Sequence, residues 1–197
     1  MIYMGDADWW NKRFGDRSPE LLKYDAKLFE DIDFFPRDGK VLDVACGDGR
    51  NAIFLSSRGY ALDAIDFSEV AINRLQSFAE KEQQHISTTQ VDLSKETAFD
   101  FLGEYDLIII NHYRLDRNQY PHLTNHLKAN GILWVNGFQK IPSNNPNISE
   151  TDLLVDEDFK YLENCKLVNK DAYVNGVHEL VRYIWKKEAK DFLCSHK

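Results

Sequence analysis

The sequence is short of several things, and each absence excludes something. It has three cysteines, Cys46, Cys165 and Cys194, in 197 residues. An odd number at wide spacing is no disulfide framework, and no two have metal-ligand spacing, so no metal site is expected. Positive charge is in deficit: 24 Lys and Arg stand against 32 Asp and Glu, for a net charge of −8. Such a field repels nucleic acid and anionic membrane surfaces, and neither is expected as a partner. No apolar run is long enough to span a bilayer, and none near the start has the form of a signal peptide. There is no internal repeat and no dividing linker. The expectation is one domain over residues 1–197, a monomer or homodimer in the reducing cytoplasm. Aromatic residues are in mild surplus, at 13%, so some are expected to line a pocket.

What is present centres on Lys40-Val-Leu-Asp-Val-Ala-Cys-Gly-Asp-Gly-Arg-Asn51. Val41, Leu42, Val44 and Ala45 form the short apolar run of a buried parallel strand. Gly47-Asp-Gly49 breaks it, and a helix over 51–57 follows. Glycines in such a bend let the chain turn tightly and let a ligand approach the backbone. Asp43 lies inside the strand, where an unpaired carboxylate is costly, so it requires a cationic or hydrogen-bonding partner. Asp66 ends the next apolar run, about 20 residues past the bend, where an acid accepts from ribose hydroxyls in nucleotide-binding α/β folds.

Further along, Ser68 is placed to cap a helix whose buried stripe is Val70, Ala71, Leu75, Phe78 and Ala79. Ile86–Val91 alternates as a third strand and leads to Asp92-Leu93. Tyr105–Ile110 is apolar on both faces, the pattern of a central strand, and delivers Asn111-His-Tyr-Arg114 to its carboxyl end. A helix is expected from Gln119 to Leu127 with its stop at Asn130-Gly131, then a strand over 131–136. His122 and His126 have i, i+4 spacing but no third ligand, and read as a polar helix face. Residues 138–150 form a long Asn/Pro/Ser-rich loop at the ligand end of the sheet, read as a substrate-side lid. A short acidic helix over 155–162 and a hairpin around Asn175-Gly176 close the chain. Near the start, Ser18-Pro19 reads as the opening of a helix that ends before Phe34.

Val41–Gly49 resembles the first motif of class I S-adenosylmethionine (SAM)-dependent methyltransferases, and Ala64-Ile-Asp-Phe-Ser68 resembles the second. The resemblance runs from about Trp9 to Lys187 and is closest to small bacterial methyltransferases of the tellurite-resistance-like group. It implies an α/β Rossmann-like, seven-stranded, mostly parallel sheet with helices on both faces and a C-terminal antiparallel hairpin. It also implies SAM as cofactor, S-adenosylhomocysteine (SAH) as product and a small-molecule acceptor. Tellurite or selenite as acceptor follows from the resemblance alone.

Residue by residue, the resemblance puts Asp43 on the methionine ammonium, Ala45, Gly47 and Gly49 along the methionine and ribose, and Asp66 on the ribose hydroxyls. Phe67, Ser68, Asp92 and Leu93 would surround the adenine, and Asn111 would stand near the sulfonium. Trp10, Arg13 and Phe14 match a W-x-x-R-aromatic segment that folds over the cofactor, making residues 1–35 a lid and helix. Arg13 would meet the SAM carboxylate and Trp10 the acceptor. His112 is the general-base candidate, and Tyr113, Arg114 and Arg117 would orient the acceptor.

Two rivals remain. Gly47-x-Gly49-x-x-Ala52 also fits the loose pattern of an NAD-dependent oxidoreductase, although a carboxylate before the first glycine is unusual there. A SAM-fold regulatory protein without turnover is the other.

Overall fold

The computed structural model describes residues 6–189. Cys194 and the first five residues of the expected lid lie outside them. Seven strands form one sheet: β1 (Lys40–Val44), β2 (Ala61–Asp66), β3 (Ile86–Gln90), β4 (Tyr105–Asn111), β5 (Leu127–Phe138), β6 (Cys165–Asn175) and β7 (His178–Lys187). Their order is β3-β2-β1-β4-β5-β7-β6. β1 to β5 run parallel, while β7 is antiparallel to both β5 and β6. This is the expected sheet with its antiparallel finish.

Side chains alternate across each strand, so the sheet has two cores. One face carries Leu42, Val44, Ile108, Ile110, Leu133, Val135 and Tyr183. It is covered by α5 (Gln119–Asn125) and the 3-10 turn Asp156–Phe159, through Tyr120, Leu123 and Phe159. The other carries Val41, Leu107, Ile109, Trp134 and Ile184. It packs under Leu28, α3 (Arg50–Ser57) and α4 (Glu69–Lys81). Leu107 to Ile110 have no exposed surface, which accounts for a strand that is apolar throughout.

α1 (Ala7–Gly15) begins at Asp6, whose side chain accepts from the Trp9 N–H. No helix starts at Ser18. Residues 18–25 are irregular, and α2 (Ala26–Glu30) is one short helix capped by Asp25, followed by a 3-10 turn, Ile32–Phe34. Contacts with α3 override the helical spacing: the Asp25 N–H donates to Asn51 Oδ1, and Tyr24 stacks on Phe54 at 4.0 Å.

α5 stops at Asn125, two residues short of the expected end, and Ala129-Asn130 falls inside β5 at a register irregularity. His126 is therefore the cap that ends the helix, with its Nδ1 3.0 Å from the Gly103 carbonyl oxygen. The acidic segment near 155 is a 3-10 turn rather than a helix. In the hairpin, Asn175 pairs with His178, so the two-residue link is Gly176-Val177.

Candidate functional site

β1 is flanked by β2 on one side and β4 on the other, so the chain changes winding direction between β1 and β4. Ligands of open α/β sheets bind beyond the strand ends at such a point. A cavity of about 1150 Å³ lies there, above the ~300–1,000 Å³ of an ordinary ligand cleft. There is room for a large cofactor and a second small molecule.

The bend after β1 sets one wall. Ala45 and Gly47 both have positive φ, at 55° and 56°. At Gly47 a Cβ would come within 3.1 Å of the Phe14 ring, so the lid helix packs directly onto this glycine. At Gly49, with φ 86°, a Cβ would collide with Leu75. Helix packing therefore demands this glycine, and it is not part of the cavity wall. Ala45 keeps a left-handed backbone without being glycine, which costs about 1–2 kcal/mol.

Asp43 and Asp66 both face the cavity and are almost fully buried. Asp43 Oδ2 has no hydrogen-bond partner. Burial above all, with the nearby Asp66 charge, pushes its carboxyl up to about 8, against the pull of Arg50 and the Ala52 N–H. Asp66 is raised by burial too, although it accepts from the backbone N–H groups of Gly47 (2.8 Å) and Ser68 (2.9 Å). The Phe67 N–H also helps to hold it ionised, and the lone-pair capacity left on its oxygens is open to a ligand hydroxyl. An orphaned buried carboxyl beside a second acid asks for a cation with hydrogen-bond donors.

Phe67, Asp92 and Leu93 continue this wall. Asp92 Oδ1 is also used locally, accepting from the Ser94 N–H and hydroxyl at 3.0 and 2.6 Å. Ser68 is not on the wall. It is wholly buried, and its hydroxyl caps Ala71 and donates to Asn11 Oδ1 at 2.7 Å, tying α1 to α4.

Trp10, Arg13 and Phe14 bring α1 over the cavity. The Arg13 guanidinium lies 5.2 Å from the Trp9 ring centre and 5.7 Å from that of Trp10. Two arginines missed in the sequence, Arg17 and Arg74, hold the buried Asp48 of the bend at 2.9 and 3.4 Å.

Asn111, His112, Tyr113, Arg114 and Arg117, from the end of β4 and the loop after it, all line the same cavity. Arg114 is already engaged: it binds Asp158 through two nitrogens, at 2.6 and 3.0 Å, and donates to the Thr151 carbonyl at 3.1 Å. It clamps the loop after β4 to the segment beyond residue 150, which argues against an acceptor contact. Arg117 is half-buried on the wall and forms no ion pair among the described residues.

The His112 Nε2 is 3.1 Å from Asp25 Oδ2, and its Nδ1 is buried without a partner. Asp25 was not singled out in the sequence, where it falls inside an expected helix. Burial works to raise its carboxyl, but the hydrogen bond and charge of His112, the charge of Arg50 and the Lys27 N–H hold it down at about 2. Asn111 donates to the same oxygen at 3.2 Å. Phe138, Ile148, His178 and Leu180 also line the cavity. The loop over 138–150 thus contributes wall residues.

The model of the family described as tellurite resistance protein TehB matches residues 3–145. YqeM of Bacillus subtilis, a methyltransferase by name, is 30% identical over 169 residues, covering 79% of this chain and 64% of its own length. TehB of Haemophilus influenzae is 35% identical over 91 residues, which are 45% of this chain and 31% of that protein. The chain thus spans less than two thirds of the length of these relatives. The crystal structure of the same TehB superposes with a TM-score of 0.67 at 20% identity, covering 92% of this chain and 67% of that one. Magnesium protoporphyrin IX methyltransferase from Synechocystis PCC 6803, solved with bound SAH, gives 0.64 at 13% identity, covering 92% of this chain and 83% of that one.

Proposed function

The chain belongs to the TehB family of class I SAM-dependent methyltransferases, and from that premise we propose that it transfers a methyl group from SAM to a small-molecule acceptor. The observation that carries the reading is the unpartnered Oδ2 of Asp43 on the cavity wall, one strand from Asp66. These residues fit the cofactor. The methionine ammonium is the cation Asp43 lacks, and the ribose hydroxyls are donors for the spare lone pairs of Asp66. Phe67, Asp92 and Leu93 would take the adenine, and Arg13 the carboxylate. Gly47 lines the cavity, and the Cβ it lacks makes room for the Phe14 ring of the roof.

When bound, SAM supplies a methyl group already activated by a sulfonium, so the protein's work is alignment and exclusion of water. α1 roofs the cavity through Trp10 and Phe14. Tyr113 and Arg117 would orient the acceptor, and His112 would act on its proton. A small acceptor is favoured by the shared cavity and by the absence of a recognition domain among the described residues. Two buried, reduced cysteines, Cys46 and Cys165, agree with the reducing cytoplasm as its place of work. No helix of the described residues is long and apolar enough to cross a membrane.

Calorimetry with SAH, followed by transfer of labelled methyl from SAM to a panel of small acceptors, tests the reading. Saturable SAH binding with turnover supports it. Binding of NAD in place of SAH would restore the oxidoreductase, and SAH binding without turnover on any acceptor would favour the regulatory protein.

A further inference from the structure

We propose that the acceptor is a protic, un-ionised nucleophile whose proton passes to Nδ1 of His112, and that Asp25 is the positioning residue that keeps this nitrogen free. The inference rests on the methyl-transfer reading and narrows its substrate class.

A carboxylate can only accept hydrogen bonds. His112 Nε2, at 3.1 Å from Asp25 Oδ2, must therefore carry the proton. In a neutral imidazole the lone pair then lies on Nδ1, which is the atom buried with no partner. The ring belongs to a residue of the cavity wall. Its backbone is left-handed, with φ 56°, and its N–H donates to the Asn136 carbonyl at 2.7 Å. A non-glycine residue held this way is a strained position, of the sort that surrounding structure maintains at functional sites.

The orientation of Asp25 is over-determined. Its Oδ1 accepts from the Lys27 N–H at 2.9 Å, and its Oδ2 also faces Asn111 Nδ2 at 3.2 Å and Arg50 at 3.4 Å. The polarity then propagates outward. Because Asn111 presents its amino group to the carboxylate, its Oδ1 must accept, and Asn136 Nδ2 donates to it at 2.9 Å. The Asn136 oxygen is left to accept from the Tyr173 hydroxyl, also at 2.9 Å. Four segments distant in the chain thus agree on one tautomer: the start of α2, the end of β4, β5 and β6. A sulfonium methyl donor needs no such arrangement. An acceptor that is already anionic gains nothing from it either.

For an acceptor X–H, the X–CH3 bond forms as the S–CH3 bond breaks, and sulfur keeps the electron pair as a neutral thioether. The X–H pair stays on X and its proton moves to Nδ1. The resulting imidazolium is held against the Asp25 carboxylate until the proton is released to water.

Protein carrying 15N-labelled histidine, saturated with SAH at alkaline pH, reads the tautomer directly by long-range proton–nitrogen correlation. His112 is assigned by the peaks missing in His112→Gln. The result expected is an Nε2–H tautomer with a pyridine-like Nδ1, and a shift of that Nδ1 resonance on titration with phenol but not with anisole, which has no hydroxyl. Asp25→Asn keeps the helix cap but can turn an amino group toward Nε2, and should move the proton to Nδ1. An Nδ1–H tautomer in the native protein, or an Nδ1 resonance that phenol leaves unmoved, would overturn the proposal. Failure to bind SAH would instead remove the methyl-transfer reading and leave the tautomer result standing.

Discussion

The two proposed sites in the cavity are built on different plans. At the proposed cofactor site, Asp43, the Gly47 bend and Asp66 come from adjacent strand ends, and they lie close together in the chain. Around the proposed acceptor site, His112 depends on Asp25, Asn136 and Tyr173, and Arg114 on Asp158. Those partners are 25 to 87 residues apart or are reached through relays. A ligand common to a whole family can be held by one local motif. An acceptor particular to one protein is met by whatever distant segments the fold brings together.

Four substitutions or titrations sharpen that contrast. The largest effect is expected from Arg114→Ala, which strands the Asp158 carboxylate, only 1% exposed. Breaking a buried pair in this way costs about 3–5 kcal/mol, read as a lower denaturation midpoint. A stable variant that has lost acceptor affinity would instead make Arg114 a substrate ligand.

Next, Asp43→Asn should weaken SAH binding by ~10–100-fold, the loss of a charge-assisted hydrogen bond, without destabilising the ligand-free fold. Unchanged affinity would detach Asp43 from the cofactor.

The third effect is on pH dependence. Asp43 is raised from 3.8 to about 8 in the folded chain. Between those values the folded state holds a proton that the unfolded state has lost, so its contribution to stability falls as pH rises through that window. The slope should be absent from Asp43→Asn. A carboxyl that must ionise to bind an ammonium should also make SAH affinity rise with pH and level off above about 8.

The smallest effect is expected from Ala45→Gly. Relief of the left-handed φ of 55° is worth about 1–2 kcal/mol, offset by about 0.5–1 kcal/mol of added unfolded-state entropy. A gain of up to about 1.5 kcal/mol should appear in urea denaturation, and a net loss would mean that the methyl group packs against something essential.

The same division explains what could be read before the structure. The strands were legible because β1 and β4 are buried on both faces and carry unbroken apolar runs. Asp43 and Asp66 were legible as acids meeting on one cavity wall because strand ends and glycine bends keep fixed spacing. Ser68 was legible as the cap of α4 from its place before the apolar stripe, whereas the packing role of Gly49 was not, since the closeness of Leu75 leaves no mark on the local sequence. Asp25 was hidden by the near-helical spacing of Leu21, Leu22, Tyr24 and Leu28. The Lys27 N–H donating to its Oδ1 shows that it caps a later helix, and only its contacts with Asn51, Asn111 and His112 tie it to the cavity. Arg114 and Arg117 look equivalent in the sequence, and Asp158, which separates their roles, lies 44 residues beyond Arg114.

The most direct measurement is calorimetry of SAH binding below pH 8 in buffers of different ionisation enthalpy, which counts protons released on binding. The result expected is release of a proton in the native protein and none in Asp43→Asn. Equal proton release in both, with equal affinity, would contradict the assignment of Asp43 as the anchor of the cofactor's ammonium.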